Sequence, residues 1–295
     1  MAPEEGPHLA GAVGPCVGLA PLPLPAAWAE RARREVHEQP AAAARNVAAL
    51  RQRLLEERNL HARTDDTFLL AFLRARKHNV EEALKVLKNF YRLKIKYPLY
   101  TEDCLPSEKP FVYDMNGYTI LEERDQLDRT IIAMRVEHFF QQLWTAHQLV
   151  VQDPLVQVAG VVLIVDMRGF SLRHARIVTP SFARIAMRFV QDSFPVRTQA
   201  IHIVFEPFYF DAIFMLFKPF LKAKLRDRIH LHGADLDSLR AMVPERALPE
   251  ELGGCAPGWN FAGYRSGVAR NEHLFRAWRH YGYGKGKEEP GTSAP

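Results

Sequence analysis

The sequence predicts an α/β domain with a largely parallel sheet, preceded by a small all-helical module. Three observations carry this. Residues 28–98 read as helices throughout. Gly160 to Met167 reads GVVLIVDM, an unbroken apolar run of the kind found in strands buried on both faces. From residue 117 onward, short β-like runs alternate with amphipathic helices, the pattern of a sheet covered by helices.

In the module, Trp28 to Glu38 is a first helix, and Ala41 to Asn59, rich in Ala, Leu, Arg and Glu, is a second. Thr64 is placed to cap a third, with Asp65 and Asp66 in its electropositive first turn. Its Phe68, Leu69, Phe72 and Leu73 fall at helical spacing. Asn79 opens a fourth, with Glu82 as a capping-box partner, and Pro98 closes it. By pattern alone this module is a structural appendage without chemistry of its own.

In the larger domain, Tyr118 to Glu122 and Thr130 to Val136 are strands joined by a charged turn. Val136 to Gln152 is an amphipathic helix with Phe139, Phe140, Leu143, Trp144, His147 and Val151 on one side. Thr179-Pro180 is an N-cap followed by proline at the first helical position. The helix after it sets Phe182, Ile185, Ala186, Phe189 and Val190 on one face. Ala200 to Phe205 and Arg228 to His232 are further strands. The resulting division is a flexible tail (1–27), the helical module (28–98), the α/β domain (99–265), a C-terminal helix (266–281) and a second tail (282–295).

The chain of 295 residues carries a net charge of +5, which suits acidic partners such as nucleic acid or an anionic membrane. Cys16, Cys104 and Cys255 are odd in number and far apart, which argues against a disulfide framework and fits a reducing compartment. The uncharged stretch Leu9 to Ala29 is interrupted by Gly11, Gly14, Pro15, Gly18, Pro21, Pro23 and Pro25, so it cannot hold a membrane-spanning helix. Glu4 and Glu5 stand where a secretory signal would be basic.

Catalytic patterns are missing. There is no G-x-S-x-G elbow and no P-loop, and the only close glycine series, Gly282 to Gly286, lies in the tail. Asp166, at a strand end, reads as a structural hydrogen-bonder. His230 and His232 share one face of a strand, but no third ligand has zinc-site spacing. The expectation is a protein that is not an enzyme, with no metal and no cofactor.

The unusual segment is FEPFYFDAIFMLFKPFLKAKLRDR, Phe205 to Arg228. Phe210, Phe214, Phe217 and Leu221 form one helical stripe, which fits a buried core helix. The segment then turns basic at Lys218, Lys222, Lys224, Arg226 and Arg228, offset only by Asp227. Aromatic surface beside cations also fits an anionic membrane, and equally a hinged cover over an apolar pocket. Nucleic acid is disfavoured, since the aromatics lie in a helix and no RNP-like or Cys/His finger pattern is present.

Five motifs now stand in order: FLRAR (Phe72 to Arg76), DSFP (Asp192 to Pro195), KPFL (Lys218 to Leu221), a strand ending His232-Gly233, and LPEELGG (Leu248 to Gly254). Each is weak alone; together they are specific. The chain resembles the CRAL-TRIO family of lipid-binding proteins. Within it, it is most similar to the branch of the α-tocopherol transfer protein, cellular retinaldehyde-binding protein and the clavesins.

The resemblance implies a mixed sheet floored by helices and an apolar cavity under a mobile helical gate matching Glu206 to Leu221. It implies a cytoplasmic lipid carrier, transiently peripheral on endosomal or other phosphoinositide-containing membranes. Its lipid-cavity positions match Phe140, Leu143, Trp144, His147, Val161, Val165, Val178, Phe189, Val190, Phe194, Val196 and Ile201, with Phe210, Phe214 and Phe217 on the gate. Its phosphoinositide-binding positions match Arg76, Arg197, Lys224 and Arg228, with Arg226 between the last two. The tocopherol carrier has serines where Leu143 and His147 stand, and the retinal carrier a glutamate at Val165, so a tocopherol- or retinoid-like cargo is an expectation about class only. A phosphoinositide-reading adaptor without cargo is the rival reading.

Overall fold

The computed structural model describes residues 24–284 except Glu102 and residues 136–138; the side chains of Leu99 and residues 139–141 also lie outside the description. Four helices open the chain: α1 (Ala26–Val36), α2 (Pro40–Leu55), α3 (Asp66–Ala75) and α4 (Val80–Lys96). Asp65, not Thr64, caps α3: its carboxylate accepts the N–H of Phe68 at 3.1 Å. Asn79 caps α4 by accepting from Glu82 N at 3.0 Å, but the backbone N–H of Asn79 goes to Arg76 O instead of completing a capping box.

Strands β1 (Leu60–His61), β2 (Tyr118–Arg124), β3 (Thr130–Arg135), β4 (Val161–Asp166), β5 (Thr198–Val204), β6 (Ile229–Leu231) and β7 (Gly282–Tyr283) form two sheets. The main sheet runs β2-β3-β4-β5-β6, with β2 antiparallel to β3 and every other neighbour parallel. The fold is therefore mixed and largely parallel.

Side-chain alternation divides the central strands between two cores. Ile132 and Met134, Val161, Leu163 and Val165, and Ile201 and Ile203 join the large core shared with α2 to α4. Ile131 and Ala133, Val162 and Ile164, and Ala200 and Val204 join a second core with Leu239, Val243, Leu248 and Leu252. Burial on both faces explains why β4 reads as an unbroken apolar run.

The module is bound to the domain by more than apolar contact. Buried Arg74 of α3 makes a paired interaction with Glu38 at 2.5 and 2.7 Å and donates to Gln157 Oε1 at 2.6 Å. Burial opposes ionisation of Glu38, but hydrogen bonds from Arg74 and His78 override it and hold the carboxyl at about 2.

Residues 261–278 form two helices, Phe261–Arg270 and Glu272–Trp278, so the 265/266 boundary falls inside a helix. Gly282 and Tyr283, expected in a tail, pair antiparallel with His61 and Leu60, and Lys94 donates to Tyr281 O at 2.7 Å. Short helices at Pro98–Thr101, Pro110–Asp114 and Pro154–Ala159 were not legible in the periodicity, because they are too brief to display one. The tail expected at 1–27 lies outside the described residues up to residue 23, and α1 already begins at Ala26.

Candidate functional site

The apolar site is assembled between the helix Phe139–Val150, one face of β4 and β5, and the segment that follows the helix Pro180–Arg188. Thr179 Oγ1 caps that last helix on Phe182 N at 3.2 Å, with Pro180 next. Its end loosens into a π-helical turn, Phe189–Ser193, held by Ser193 Oγ donating to Arg188 O at 3.0 Å. Such turns re-aim side chains and are common at functional sites. Here Phe189 and Phe194 enter the large core.

Phe194 is the hub. Its ring centroid lies 4.6 Å from His147, 5.2 Å from Trp144 and 6.0 Å from Phe189. Leu143, Trp144, Val161, Val165, Phe189, Phe194, Val196 and Phe210 are buried members of this core, and Ile201 and Phe214 pack against it. Val178, Val190 and Phe217 are half-buried and stand outside the cluster. The side chain of Phe140 lies outside the described residues. Phe90 and Ile203 were missed. Ile203 follows Ile201 at strand period, a signal present in the sequence; Phe90 belongs to α4, and no local pattern ties it to this site.

His147 is buried, and its Nδ1–H donates to Leu143 O at 2.8 Å, which leaves Nε2 as the acceptor. Burial drives its pKa down to about 4, with the carbonyl bond acting weakly in the other direction, so the ring is neutral.

The aromatic segment forms one helix, Phe210–Phe217, followed by a 3₁₀ turn, Lys218–Phe220. Phe210 stacks on Phe214 at 6.0 Å, facing inward. Phe208 and Met215 are exposed, with Phe208 at 97%. The basic residues beyond do not prolong this helix; Lys224 and Arg226 sit on the separate turn Ala223–Arg226, with Lys222 just before it and Arg228 just after. Gln191, in the π-helical turn, joins the two parts: it donates to Phe220 O at 2.8 Å and accepts from Lys222 N at 2.8 Å.

The cations converge from four places. Arg76 ends α3 and donates to Gln191 O at 3.0 Å. Arg197 stands just before β5, bonded to Val158 O and 3.3 Å from Glu35. Gly160 makes that approach possible: at φ +85°, it leaves 2.3 Å between the place a Cβ would occupy and Arg197 O. Arg228 bonds to Thr198 O. Lys224 is exposed, and its pKa is lowered by partial burial and then by the charges of Arg228, Lys77, Arg197 and Arg76. Lys224 therefore stands among like charges, whereas Asp192 and Glu82 act on Arg76 and Glu35 on Arg197. Lys77 is an addition; sequence proximity to Arg76 was the available signal. Arg226 is exposed and is not among the charges acting on Lys224.

A cavity of about 10 Å³ lined by Arg63, Phe68, Phe90, Tyr91, Lys94, Gln148, Trp278 and Tyr281 has none of the expected cavity residues in its lining and shares Phe90 with the aromatic core. It has room for about one water molecule. Asp166 is a structural group, taken up by Arg168 through bonds of 2.6 to 3.0 Å. His202 of β5 joins His230 and His232, yet among the described residues no group of three or more ligating side chains is arranged for a metal ion.

Residues 114–254 match the CRAL/TRIO domain. The human and mouse "Alpha-tocopherol transfer protein-like" proteins are each 33% identical over 256 residues, covering 83% of this chain and 75% of theirs. The chain belongs to the CRAL/TRIO family. Clavesin-1 of Xenopus laevis is 33% identical over 245 residues, covering 78% of this chain and 74% of its own, and clavesin-2 of Rattus norvegicus is 31% identical over 276. The CRAL/TRIO match spans the aromatic core, the helix Phe210–Phe217 and the basic turn, but ends before the C-terminal helices and excludes α1 to α4. Among the described residues, no helix of this CRAL/TRIO protein is long and apolar enough to cross a membrane.

Proposed function

We propose that the protein is a non-enzymatic cytoplasmic lipid carrier. It binds one small hydrophobic lipid, tocopherol- or retinoid-like in class, among Trp144, His147, Val165, Phe189 and Phe194, and exchanges it at phosphoinositide-bearing membranes. The observation that carries this reading is the linkage through Gln191. One residue touches the cation cluster through Arg76 and both sides of the junction between the aromatic helix and the basic turn. Contact of the cations with an anionic headgroup is thereby joined to the cover of the apolar core. The relatives named for tocopherol transfer support the same class.

The rings around Phe194 touch one another, so lipid entry requires them to part, and outward movement of Phe210 and Phe214 provides the room. Burying roughly 500 Å² of apolar lipid at about 25 cal/mol per Å² yields on the order of 12 kcal/mol before association costs, enough for tight retention until the helix moves. Native mass spectrometry of protein gently extracted from cells tests this. A co-purifying lipid lost on mild denaturation is expected. Lipid-free protein that still binds phosphoinositide vesicles would favour the adaptor reading.

A further inference from the structure

The aromatic helix is attached at its N-terminal side by a small polar assembly. Phe205, in the left-handed region at φ 56°, donates its N–H to Gly233 O at 2.6 Å. Gly233 N donates back to Glu206 Oε1 at 2.8 Å, while Glu206 Oε2 is buried without a hydrogen-bond partner. Two reciprocal bonds thus clip residues 205–206 to the chain just after β6, immediately beside His232. From there the backbone turns into the helix through Phe210 N donating to Pro207 O at 2.8 Å.

His232 is itself part of a chain. Ser238 Oγ donates to Asp235 O at 2.8 Å, so it accepts from His232 Nδ1–H at 2.6 Å. His232 Nε2 is then an acceptor, and His202 Nδ1–H donates to it at 2.9 Å. His230 stacks on His202 at 5.1 Å. The charged and titratable groups acting on His202 are His232, His230 and Arg129; those acting on His232 are His230, Glu206 and Asp235. A first proton on His232 is accommodated only if His202 changes tautomer, and a second sets N–H against N–H across 2.9 Å.

We propose that His202, His232 and Glu206 form a proton-sensitive latch on the hinge of the aromatic helix, so that acidification loosens residues 205–209 and speeds lipid release. The release half rests on the carrier reading above; the latch half does not. Burial, then the charges of its neighbours, holds His202 at about 3 and pushes His232 below the ordinary imidazole value. Both rings therefore favour the closed arrangement above pH about 6.5, and that preference is lost as pH falls below it. One unit below 6.5, an opened His202 is about tenfold stabilised by its proton relative to the closed one. Glu206, without a partner at Oε2, favours positive charge on His232, so its removal shifts the response to lower pH.

Hydrogen exchange of the full chain at pH 7.5 and 5.5, normalised to intrinsic rates, tests the latch without any lipid. Peptides spanning 203–221 are expected to lose protection about tenfold at pH 5.5. The double variant His202→Gln/His232→Gln should remove that dependence. Should it fail to fold, Glu206→Gln keeps an acceptor for Gly233 but removes the charge, and the onset should move to lower pH. Unchanged protection in the wild-type chain, or pH dependence that survives in the double variant and is unmoved in Glu206→Gln, would overturn the latch. Release of a pre-loaded NBD-labelled tocopherol to neutral phosphatidylcholine vesicles is the second arm, and should quicken over the same pH range. Acid-loosened exchange with unchanged release overturns the control of release. A probe that loads at no pH counts against the carrier reading, and exchange alone then decides the latch.

Discussion

The ring of Phe90 lies over the indole of Trp144, with centroids 4.7 Å apart and planes 18° from parallel. Phe90 belongs to the helical module and Trp144 to the proposed lipid site, so the module would form part of that site's supporting wall. It is more than an appendage. Phe90 also meets Phe68, Phe72, Tyr91 and Phe194 edge-on. Phe90→Ala should lower stability by about 3–5 kcal/mol. Urea unfolding followed by tryptophan fluorescence and by circular dichroism should give one shared midpoint that moves down. Separate transitions for module and domain would contradict the shared core.

In the proposed lipid site, His147 Nε2 would be a polar atom in an apolar setting. His147→Phe should weaken cargo binding by about 1 kcal/mol, roughly fivefold, by removing the Nε2 acceptor. The same variant has a pH signature. Its folded pKa of about 4 lies below the ordinary imidazole value of 6.5, so the neutral ring's contribution is full above pH 6.5 and disappears as pH falls toward 4. About 3 kcal/mol of pH-dependent stability should vanish from the variant across that range, read by urea midpoints at several pH values. Equal cargo affinity would leave His147 a packing residue only.

Lys77 and Lys224 are exposed and form no ion pair among the described residues, unlike Arg197, which is held by Glu35. Lys77→Ala with Lys224→Ala should weaken binding to phosphoinositide vesicles by about 2 kcal/mol, roughly 30-fold, and leave the melting temperature unchanged. The loss should shrink at high salt, where the Debye length falls to about 3 Å at 1 M. Vesicle sedimentation across a salt series checks both points. Binding unchanged by the pair would reduce the cluster to an ordinary solvated face.

Phe214 packs against the apolar core from the inner side of the aromatic helix. Phe214→Asp places a carboxylate there and should loosen cargo retention. It should also impair transfer between vesicles even at high phosphoinositide content, because the charge resists the membrane interface. A fluorescence transfer assay separates this defect from that of the lysine pair, which added anionic lipid should partly rescue. Wild-type transfer by Phe214→Asp would remove the helix from the exchange step.

How much was legible in the sequence depends on the range of the interaction. The apolar run of β4, the N-caps at Asn79 and Thr179 and the inward pair Phe210 and Phe214 were readable because periodicity and capping are local, whereas Phe217 stands outside the core cluster and Leu221 lies beyond the helix. The change of cap from Thr64 to Asp65 is a one-residue matter of which side chain reaches Phe68 N. The aromatic stripe overstated the helix, which ends at Phe217 and passes through the 3₁₀ turn Lys218–Phe220, with Pro219 in it, to extended backbone at Leu221. Spacing along single elements was enough for the layered α/β class, the two-sided burial of β4 and the polar–apolar division of residues 205–228. Three-dimensional packing alone makes Phe90 meet Trp144, Lys77 and Arg76 join Lys224, and His202 meet His232. Those pairs are brought together by parallel crossovers and by the docking of α3 and α4, and no side-chain period along the chain encodes a contact between elements so far apart in it.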